Sequence, residues 1–285
     1  MKNKPTAKKK TSVRASSSSQ KRNAPTERQT TSPPSPAPGP TISGDCEGCR
    51  SDSCSLFKSF QGTSLWSGYL QSRSLRTIKP HKTLFHENGE AETIYILIKG
   101  SVKLSFAGYL WTRRIVRILN GDKNPCAIMD PATITQPFYS MTCETLTPCE
   151  VCLLSRESFS YLMTQEPDFT RRILEIMSEE VLHGTAEFRE EITLPARDRL
   201  ARTLLRLGAS YGIVTDKGTQ ISLTLTRQEL ANLVGISKET LIRLLRELYK
   251  EGMVHLDGKH IILLTGNHLQ ALASQTLPFP KRLLS

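Results

Sequence analysis

Three cysteines stand close together near the start of the chain, in a polar segment rich in Gly, Ser and Asp. Cys46, Cys49 and Cys54 form a C-x2-C-x4-C motif. Thiolates at this spacing on a loop are able to hold an iron–sulfur cluster or a zinc ion, and either group needs a fourth ligand from elsewhere. A thiol redox switch and the absence of any site are the other interpretations. The motif favours a sulfur-based metal or redox centre.

Four more cysteines follow between residues 126 and 152. They are Cys126, Cys143, Cys149 and Cys152. The total of seven is odd, which argues against a disulfide framework in an unsecreted chain. Cys126 and Cys143 are expected to be small buried apolar residues. Cys149 and Cys152 are spaced like a chelating pair, but residues three apart on a strand point to opposite faces. Cys152 is therefore expected to be a core thiol.

A second set of side chains, which could form hydrogen bonds with nucleic-acid bases, lies near residue 240. Arg243 is able to pair bidentately with guanine, and Glu239 is able to accept a hydrogen bond from the cytosine amino group. The candidate DNA-contacting residues are Ser237, Lys238, Glu239, Ile242 and Arg243. An ordinary helical hairpin with a solvated charged face is the alternative interpretation.

Local signals position these side chains on the second of two helices. Thr226 and Glu229 form a capping box at the start of the first helix. Gly235 stands where the turn between the helices needs a positive φ, and Ser237 caps the second helix. The buried stripe of that helix is expected to be Leu241, Leu244, Leu245 and Leu248. The pattern is typical of a helix-turn-helix, whose second helix enters the DNA major groove.

The segment from Met253 to Leu264 alternates around Asp257-Gly258, which predicts a hairpin with a type I′ turn. A hairpin after the second helix is a wing, and it would bring Lys259 and His260 near the sugar–phosphate backbone. The sequence therefore predicts a winged helix.

Upstream, residues 75–155 read as short strands broken by turns, which predicts an antiparallel roll. From Asp168 the apolar period changes to that of a helix of about 25 residues. Its apolar positions are Phe169, Ile173, Ile176, Met177, Val181, Phe188 and Ile192. This spacing is close to a heptad and favours a dimer seam, and packing against the roll is the alternative. Pro195 ends the pattern, and 196–208 starts a new helix.

Charge is concentrated at the N-terminus. Residues 1–44 hold nine Lys/Arg and one Glu, a net of +8, which leaves +3 of the total +11 for the remainder. This Ser- and Pro-rich segment is expected to be a disordered tail, with a phosphate-attracting arm or a targeting peptide as alternatives. No apolar run reaches the roughly 18 residues of a membrane span, so a cytoplasmic chain is expected. No nucleophile–base pair or phosphate-cradling Gly loop points to an enzyme.

The expected fold class is α+β. We expect a disordered tail over 1–44, a cysteine loop and antiparallel β-roll of the cyclic-nucleotide-binding jelly-roll type over 45–167, a dimerisation helix over 168–194 and a winged helix-turn-helix domain over 195–285.

This order of elements resembles the CRP/FNR family of bacterial transcription regulators. The likeness covers roughly residues 55–275 and is carried by IYILIKGSVKL at 94–104 and ISKETLIRLLREL at 236–248. It implies a homodimer that binds double-stranded DNA at a palindromic promoter with TGA-type half-sites and contacts RNA polymerase. On the matching positions, Glu239 and Arg243 look like the pair that reads a G·C step, and Lys238 occupies a variable position.

The resemblance also bears on the effector. Members that bind cyclic nucleotides carry a Gly-Glu turn followed by an Arg that neutralises the phosphate. Residues 120–144 lack the Gly-Glu and have no Lys or Arg after Lys123, so cAMP binding is not expected. The FNR branch instead completes an N-terminal cysteine triad with a cysteine followed by Glu, as in Cys149-Glu150.

The likeness thus implies a [4Fe–4S] cluster on Cys46, Cys49, Cys54 and Cys149 that senses oxygen or redox state. The second gap of the motif is one residue shorter than in that branch. Other effectors on the same scaffold stay open. They are zinc, thiol oxidation, and heme or NO, with His81 or His86 as candidate heme ligands. A regulator without any effector is a further alternative. A different class, a small-ligand or metal-binding protein without a DNA role, is the rival interpretation.

Overall fold

The structure is a computed structural model that describes Leu56 and residues 73–108, 113–264 and 269–270. The chain divides into Met1–Ala37 and Pro38–Ser285, and all described residues belong to the second unit. The predictions made for the tail and for Cys46, Cys49 and Cys54 lie outside the described residues. Within the described ranges, no helix combines the length and apolarity that crossing a membrane requires.

Two four-stranded antiparallel sheets form the predicted β-roll. Their orders are β1-β8-β3-β6 and β2-β7-β4-β5. The strands are β1 (Arg73–Ile78), β2 (Thr83–Phe85), β3 (Thr93–Lys99), β4 (Ser101–Ala107), β5 (Arg113–Asn120), β6 (Ala127–Ile128), β7 (Thr142–Thr145) and β8 (Cys149–Ser155). The last two strands of the roll, β7 and β8, lie on either side of Pro148 but belong to different sheets.

The first sheet buries both of its faces, because alternate side chains of a strand point to opposite sides. One face forms the inter-sheet cluster, whose buried members are Phe85, Ala91, Tyr95, Leu97, Val102, Leu104, Leu119, Met129, Tyr139, Cys143, Cys149 and Val151. The other face forms the helix-side cluster, whose buried members are Leu56, Ile94, Ile96, Cys126, Ile128, Cys152, Leu154, Phe159, Leu162, Phe169 and Ile173. The roll therefore has one core between its sheets and a second against its helices.

A short helix α1 (Arg156–Gln165) leads into the long helix α2 (Pro167–Thr193). Pro167 suits the first turn of α2, where its missing N–H is not needed. Phe169 and Ile173 are buried in the helix-side cluster, whereas Val181 and Phe188 are exposed. The start of α2 thus packs on the roll, as the alternative interpretation expected, and its later turns present an exposed apolar stripe. The dimer seam stays a prediction.

The C-terminal domain contains α3 (Ala196–Tyr211), β9 (Gly212–Thr215), β10 (Gly218–Ile221), α4 (Arg227–Val234), α5 (Lys238–Lys250), β11 (Val254–Asp257) and β12 (His260–Leu264). Its sheet has the order β11-β12-β10-β9, so the wing is extended by a hairpin that the sequence analysis did not predict. The alternation of apolar residues that marks a strand was hard to detect in this hairpin, because β9 and β10 are four residues each and β9 has no buried residue.

A buried ionic group joins α2 to α3. The Glu190 carboxylate, 6% exposed, accepts hydrogen bonds from Arg202 Nη1 at 3.1 Å and Arg206 Nη1 at 2.9 Å. Arg202 is 1% exposed. A buried charge needs a partner of opposite sign, so Glu190 holds the first helix of the C-terminal domain against the end of the long helix.

Candidate functional site

The two helices of the predicted helix-turn-helix are α4 and α5, and their caps are those expected. Thr226 Oγ1 accepts from the Glu229 N–H at 3.1 Å, and Glu229 Oε2 accepts from the Thr226 N–H at 2.8 Å. Gly235 ends α4 with φ of 75°, and Ser237 accepts from the Thr240 N–H at the start of α5. The local signals in the sequence therefore fix where the second helix begins.

Replacing Thr226 with alanine is expected to destabilise the protein by about 0.5–2 kcal/mol, because the hydroxyl that accepts from the Glu229 N–H and donates to Glu229 Oε2 is lost. Chemical denaturation of the full chain would measure this change in the free energy of unfolding. Thr215→Ala, which removes a hydroxyl bonded to the Gly218 carbonyl in the β9–β10 turn, is a control outside both helices. A Thr226 variant as stable as the wild type would contradict the capping assignment.

The start of α5 faces outward. Ser237, Lys238, Glu239 and Arg243 are exposed, and Ile242 is half-buried. The opposite stripe, Leu241, Leu244, Leu245 and Leu248, is buried in the core of the domain. Arg243 Nη1 lies 2.7 Å from Glu247 Oε1, yet its side chain is 63% exposed. The guanidinium is thus accessible at the helix face that would meet a DNA groove.

The wing is a hairpin of β11 and β12, as predicted, but its turn differs. Asp257 pairs with His260, so the two loop residues are Gly258 and Lys259 rather than Asp257-Gly258. Gly258 has φ of 56°, and Lys259 is not among the residues with positive φ. A glycine alone at the first turn position is typical of type II′ rather than type I′. Lys259 is exposed at the tip.

Contacts between α4 and the β-roll were not predicted. Lys103 Nζ on β4 lies 2.6 Å from Glu229 Oε1 and 3.1 Å from Glu144 Oε1. Burial acts to raise the pKa of Glu229, but hydrogen bonds from Lys103 and Thr226 outweigh it and lower the pKa. Arg114 Nη1 donates to the Asn232 carbonyl at 3.2 Å. The capping carboxylate of the helix-turn-helix is therefore shared with the β-roll.

Of the four described cysteines, Cys143, Cys149 and Cys152 form no disulfide bond and are buried. Cys143 and Cys152 are core thiols, as expected. The expectation for Cys126 is only partly met: its side chain is 3% exposed, but it is disulfide-bonded rather than an inert apolar residue. Burial alone did not reveal that its sulfur has a covalent partner.

Cys149, the predicted fourth ligand, lies at the start of β8. Its thiol is within 3.4 Å of the Ser101 carbonyl oxygen and 3.2 Å of the Thr147 carbonyl oxygen. Burial raises the pKa of this thiol. Cys149 also lies at the wall of a cleft of about 460 Å³, shared with Tyr211 of α3. Its role as a ligand stays a prediction.

The described residues include no group of three or more His, Cys, Asp or Glu side chains that would suit a metal ion. A metal or cluster held by this chain would therefore need ligands from beyond the described ranges, as the N-terminal motif would provide.

The interior of the roll is filled by aromatic rings. Phe85 and Tyr139 stack with ring centres 4.2 Å apart, and Tyr95 packs beside Phe85 at 5.2 Å. The Asp130 carboxylate is 2% exposed and accepts from the Ser140 N–H and hydroxyl. Two features disfavour the binding of an anionic nucleotide in the roll. The carboxylate is buried there, and residues 124–144 include no Lys or Arg. That cAMP does not bind stays a prediction.

The comparisons with known proteins agree with this architecture. The profile of a cyclic nucleotide-binding domain matches residues 75–166, and that of a Crp-like helix-turn-helix domain matches residues 198–272. The cAMP-activated global transcriptional regulator CRP of Escherichia coli O6:H1 is 30% identical over 191 residues, which cover 64% of this chain and 85% of that protein. An anaerobic regulatory protein of Bacillus subtilis strain 168 is 26% identical over 194 residues, 66% of this chain and 79% of that protein.

Among solved structures, the c-di-GMP responsive global regulator CLP of Xanthomonas campestris matches with a TM-score of 0.61 at 26% identity. The match covers 70% of this chain and 98% of that one. One conclusion follows from three findings. Family profiles match both halves of the chain, one relative is 30% identical, and the order of roll, long helix and winged helix is shared. The chain belongs to the CRP/FNR family of DNA-binding transcription regulators.

Proposed function

We propose that this regulator binds a palindromic promoter as a homodimer and that a redox signal at its cysteines controls the binding. The observation that carries the proposal is the exposed start of α5, with Glu239 and Arg243 accessible to base edges while the leucine stripe holds the helix in place. Family membership supports TGA-type half-sites and a contact with RNA polymerase.

The uncovered stripe on α2 supports the homodimer. Leu174, Val181 and Phe188 are seven residues apart and are 61%, 68% and 64% exposed. Leu182 and Ile192 extend the same apolar surface. A seven-residue apolar repeat is the seam of a two-helix coiled coil. Gly184 lies along the exposed side, and a Cβ added to it would meet nothing within 4 Å, which leaves room for a second copy of α2.

Replacing Val181 with glutamate is expected to shift the protein from dimer to monomer, because it places two carboxylates in one apolar seam. Sedimentation equilibrium would measure the change, and the folded monomer should keep its far-ultraviolet circular dichroism because Val181 is exposed in the single chain. Val214→Glu is the matched control, since Val214 is 86% exposed on β9, outside the helical stripe. A Val181 variant that remains dimeric would place the interface elsewhere.

For the signal, the N-terminal motif offers three closely spaced thiols, and the roll offers a fourth cysteine. When bound, a [4Fe–4S] cluster supplies an oxygen-sensitive link between the thiolates that hold it. Cys46, Cys49, Cys54 and Cys149 are the proposed ligands. Sulfur donors of this number suit such a cluster, and the relative named an anaerobic regulatory protein supports oxygen as the signal.

The chain's own part in the response is to join the N-terminal segment to the sensor domain. Such a link alters DNA binding only if it is made more favourably in one dimer arrangement than in the other. The packing of the start of α2 on the roll is the element that would carry this difference.

The test is anaerobic purification of the full chain, followed by an absorption spectrum and by iron and sulfide analysis. We expect a brown protein with iron and acid-labile sulfide that lose their absorption in air, together with weaker promoter binding. A colourless, iron-free protein that still binds its operator would end the cluster proposal. Zinc in place of iron would favour a structural metal site instead.

A further inference from the structure

We infer that Lys103 is a positioning residue for DNA binding, because it docks the helix-turn-helix of its own chain onto the second sheet of the β-roll, β2-β7-β4-β5. The docking holds the reading face of α5 in place before DNA is bound. It depends neither on the proposed homodimer nor on the redox signal, whereas its effect on promoter affinity rests on the proposed palindrome.

The first argument is the burial of a lysine on the outer side of a sheet. On β4, Val102 and Leu104 point into the inter-sheet cluster, so Lys103 between them points away from it. A lysine on the outer side of a sheet is usually solvated, yet the side chain of Lys103 is 11% exposed. The C-terminal domain covers it, since Lys103 Nζ lies 2.6 Å from Glu229 Oε1 in the first turn of α4.

The second argument is the row of side chains that crosses the sheet at Lys103. Its register partners are Glu144 on β7 and Ile118 on β5, and opposite residues of antiparallel strands lie on the same side. Glu144 Oε1 lies 3.1 Å from Lys103 Nζ and holds the ammonium from within the roll. Ile118 packs against the core of the C-terminal domain, and Leu146 is a buried member of that core. The docking surface, formed by Lys103, Glu144, Ile118 and Leu146, therefore combines an ionic centre with apolar contacts.

The third argument is the use of both oxygens of the Glu229 carboxylate. Oε2 accepts from the Thr226 N–H at 2.8 Å and closes the capping box, and Oε1 accepts from Lys103 at 2.6 Å. A hydrogen bond between two charged groups is among the strong ones. One carboxylate therefore fixes the first turn of α4 and joins that turn to the roll.

The roll also holds the other end of α4. Arg114 on β5 donates from Nη1 to the Asn232 carbonyl at 3.2 Å. A Cβ added to Gly235 would overlap the Arg114 guanidinium, which therefore lies against the turn between the two helices. An eight-residue helix held at its start and at its end is fixed on the roll, and α5 begins directly after the turn.

Docking leaves the reading face of α5 open. Lys238, Glu239 and Arg243 are exposed, whereas the docking contacts are made by α4 and the turn. An inhibitory contact would cover the reading face, so the docked arrangement is compatible with DNA. A domain already held in its binding arrangement loses less freedom when it binds. Lys103 thus contributes to DNA affinity without contacting a base, and base contacts specify the sequence.

Removing the ammonium reverses the electrostatics of the docking surface. In Lys103→Met, the half-buried carboxylates of Glu144 and Glu229 face each other from the two domains without this cation between them. Taking one partner out of a buried ionic group is strongly unfavourable, so the helix-turn-helix is expected to leave the roll. Coupling between two parts of a protein typically changes affinity by roughly 5–150-fold, and we expect the loss of DNA affinity to lie in this range.

Fluorescence anisotropy on a palindrome with two TGA-type half-sites tests the effect on DNA binding. The full-length variants are Lys103→Met, Glu229→Gln and the double variant. Glutamine at position 229 removes the charge but keeps the capping box, which uses Glu or Gln at this position. We expect both single variants to bind more weakly and the double variant to bind no more weakly than Lys103→Met. Lys99→Met is the matched control, since Lys99 is exposed and pairs with Glu150 within the roll.

The three variants should discriminate as well as the wild type between this palindrome and one with the G·C step exchanged. Lost discrimination in Lys103→Met would overturn the inference, because it would place this residue in base readout. Wild-type or tighter DNA binding by Lys103→Met would overturn it too. So would a double variant whose fold-loss is the product of the two single losses, because the two residues would then act independently.

Hydrogen–deuterium exchange of the full chain without DNA, followed by mass spectrometry, measures the docking itself. Lys103→Met should speed amide exchange in α4 and leave β1 and β8 of the first sheet unchanged. Unchanged exchange in α4 would overturn the inference. Faster exchange throughout the chain would show unfolding, and Glu229→Gln, in which Lys103 keeps its pair with Glu144, then decides. Wild type that does not bind the palindrome would reject the proposed half-sites, while exchange in α4 still decides the docking.

Discussion

Replacing Arg243 with alanine is expected to weaken promoter binding by roughly 2–6 kcal/mol, since each half of the proposed dimer loses one bidentate contact worth about 1–3 kcal/mol. Folding should be unaffected, because the Arg243 side chain is 63% exposed and its ion pair with Glu247 is a surface pair within one helix. Fluorescence anisotropy on a palindrome with two TGA-type half-sites, at one fixed salt concentration, would measure the loss.

Arg171→Ala provides the matched control for that experiment. Its side chain is 75% exposed on α2 and faces Asp168 at 3.9 Å, so the same charge is removed at a distance from α5. The Arg243 variant should also discriminate less between a palindrome with the G·C step and one with that step exchanged. Unchanged affinity and unchanged discrimination would favour the rival class, a ligand-binding protein without a DNA role.

Replacing Glu190 with alanine is expected to destabilise the folded chain by about 3–5 kcal/mol, the usual consequence of removing one member of a buried ion pair. The substitution takes the shared carboxylate away from Arg202, which is 1% exposed, and from Arg206. Urea denaturation of the full chain would give the change in the free energy of unfolding.

Glu191 supplies a control one residue away. Its side chain is 50% exposed and pairs with Arg114 at 3.1 Å, so Glu191→Ala should cost less than about 1 kcal/mol. Equal losses of unfolding free energy for the two variants would mean that the burial of Glu190 does not determine its contribution to stability. A larger loss for Glu190 would identify the group that joins the long helix to the DNA-binding domain.

Features that depend on neighbours a few residues apart were predictable from the sequence. The capping box of Thr226 and Glu229 spans three residues, and the turn at Gly235 needs only its own φ. The leucine stripe of α5 follows from the helical period. The strands of the roll and the length of α2 were predictable for the same reason, since residue alternation and helical spacing are local.

Features that depend on pairing between distant segments were not predictable. β7 and β8 follow each other in the chain but lie in different sheets. The ion pair of Lys103 with Glu229 joins residues 126 positions apart. The wing was predicted, but its turn is shifted by one residue, because the register of β11 against β12 decides which two residues form the loop.

The sequence by itself determined the class of protein: two capped helices with an exposed Glu239 and Arg243, preceded by a long amphipathic helix and a β-rich domain. The tertiary structure decided which cysteines share a surface. Alternation along β8 is enough to separate Cys149 from Cys152, but only the packing of the start of α2 on one side of the sheet shows that Cys126 lies on the face that meets this helix. Short-range interactions determine the helices and strands, and long-range packing determines which of their side chains lie together.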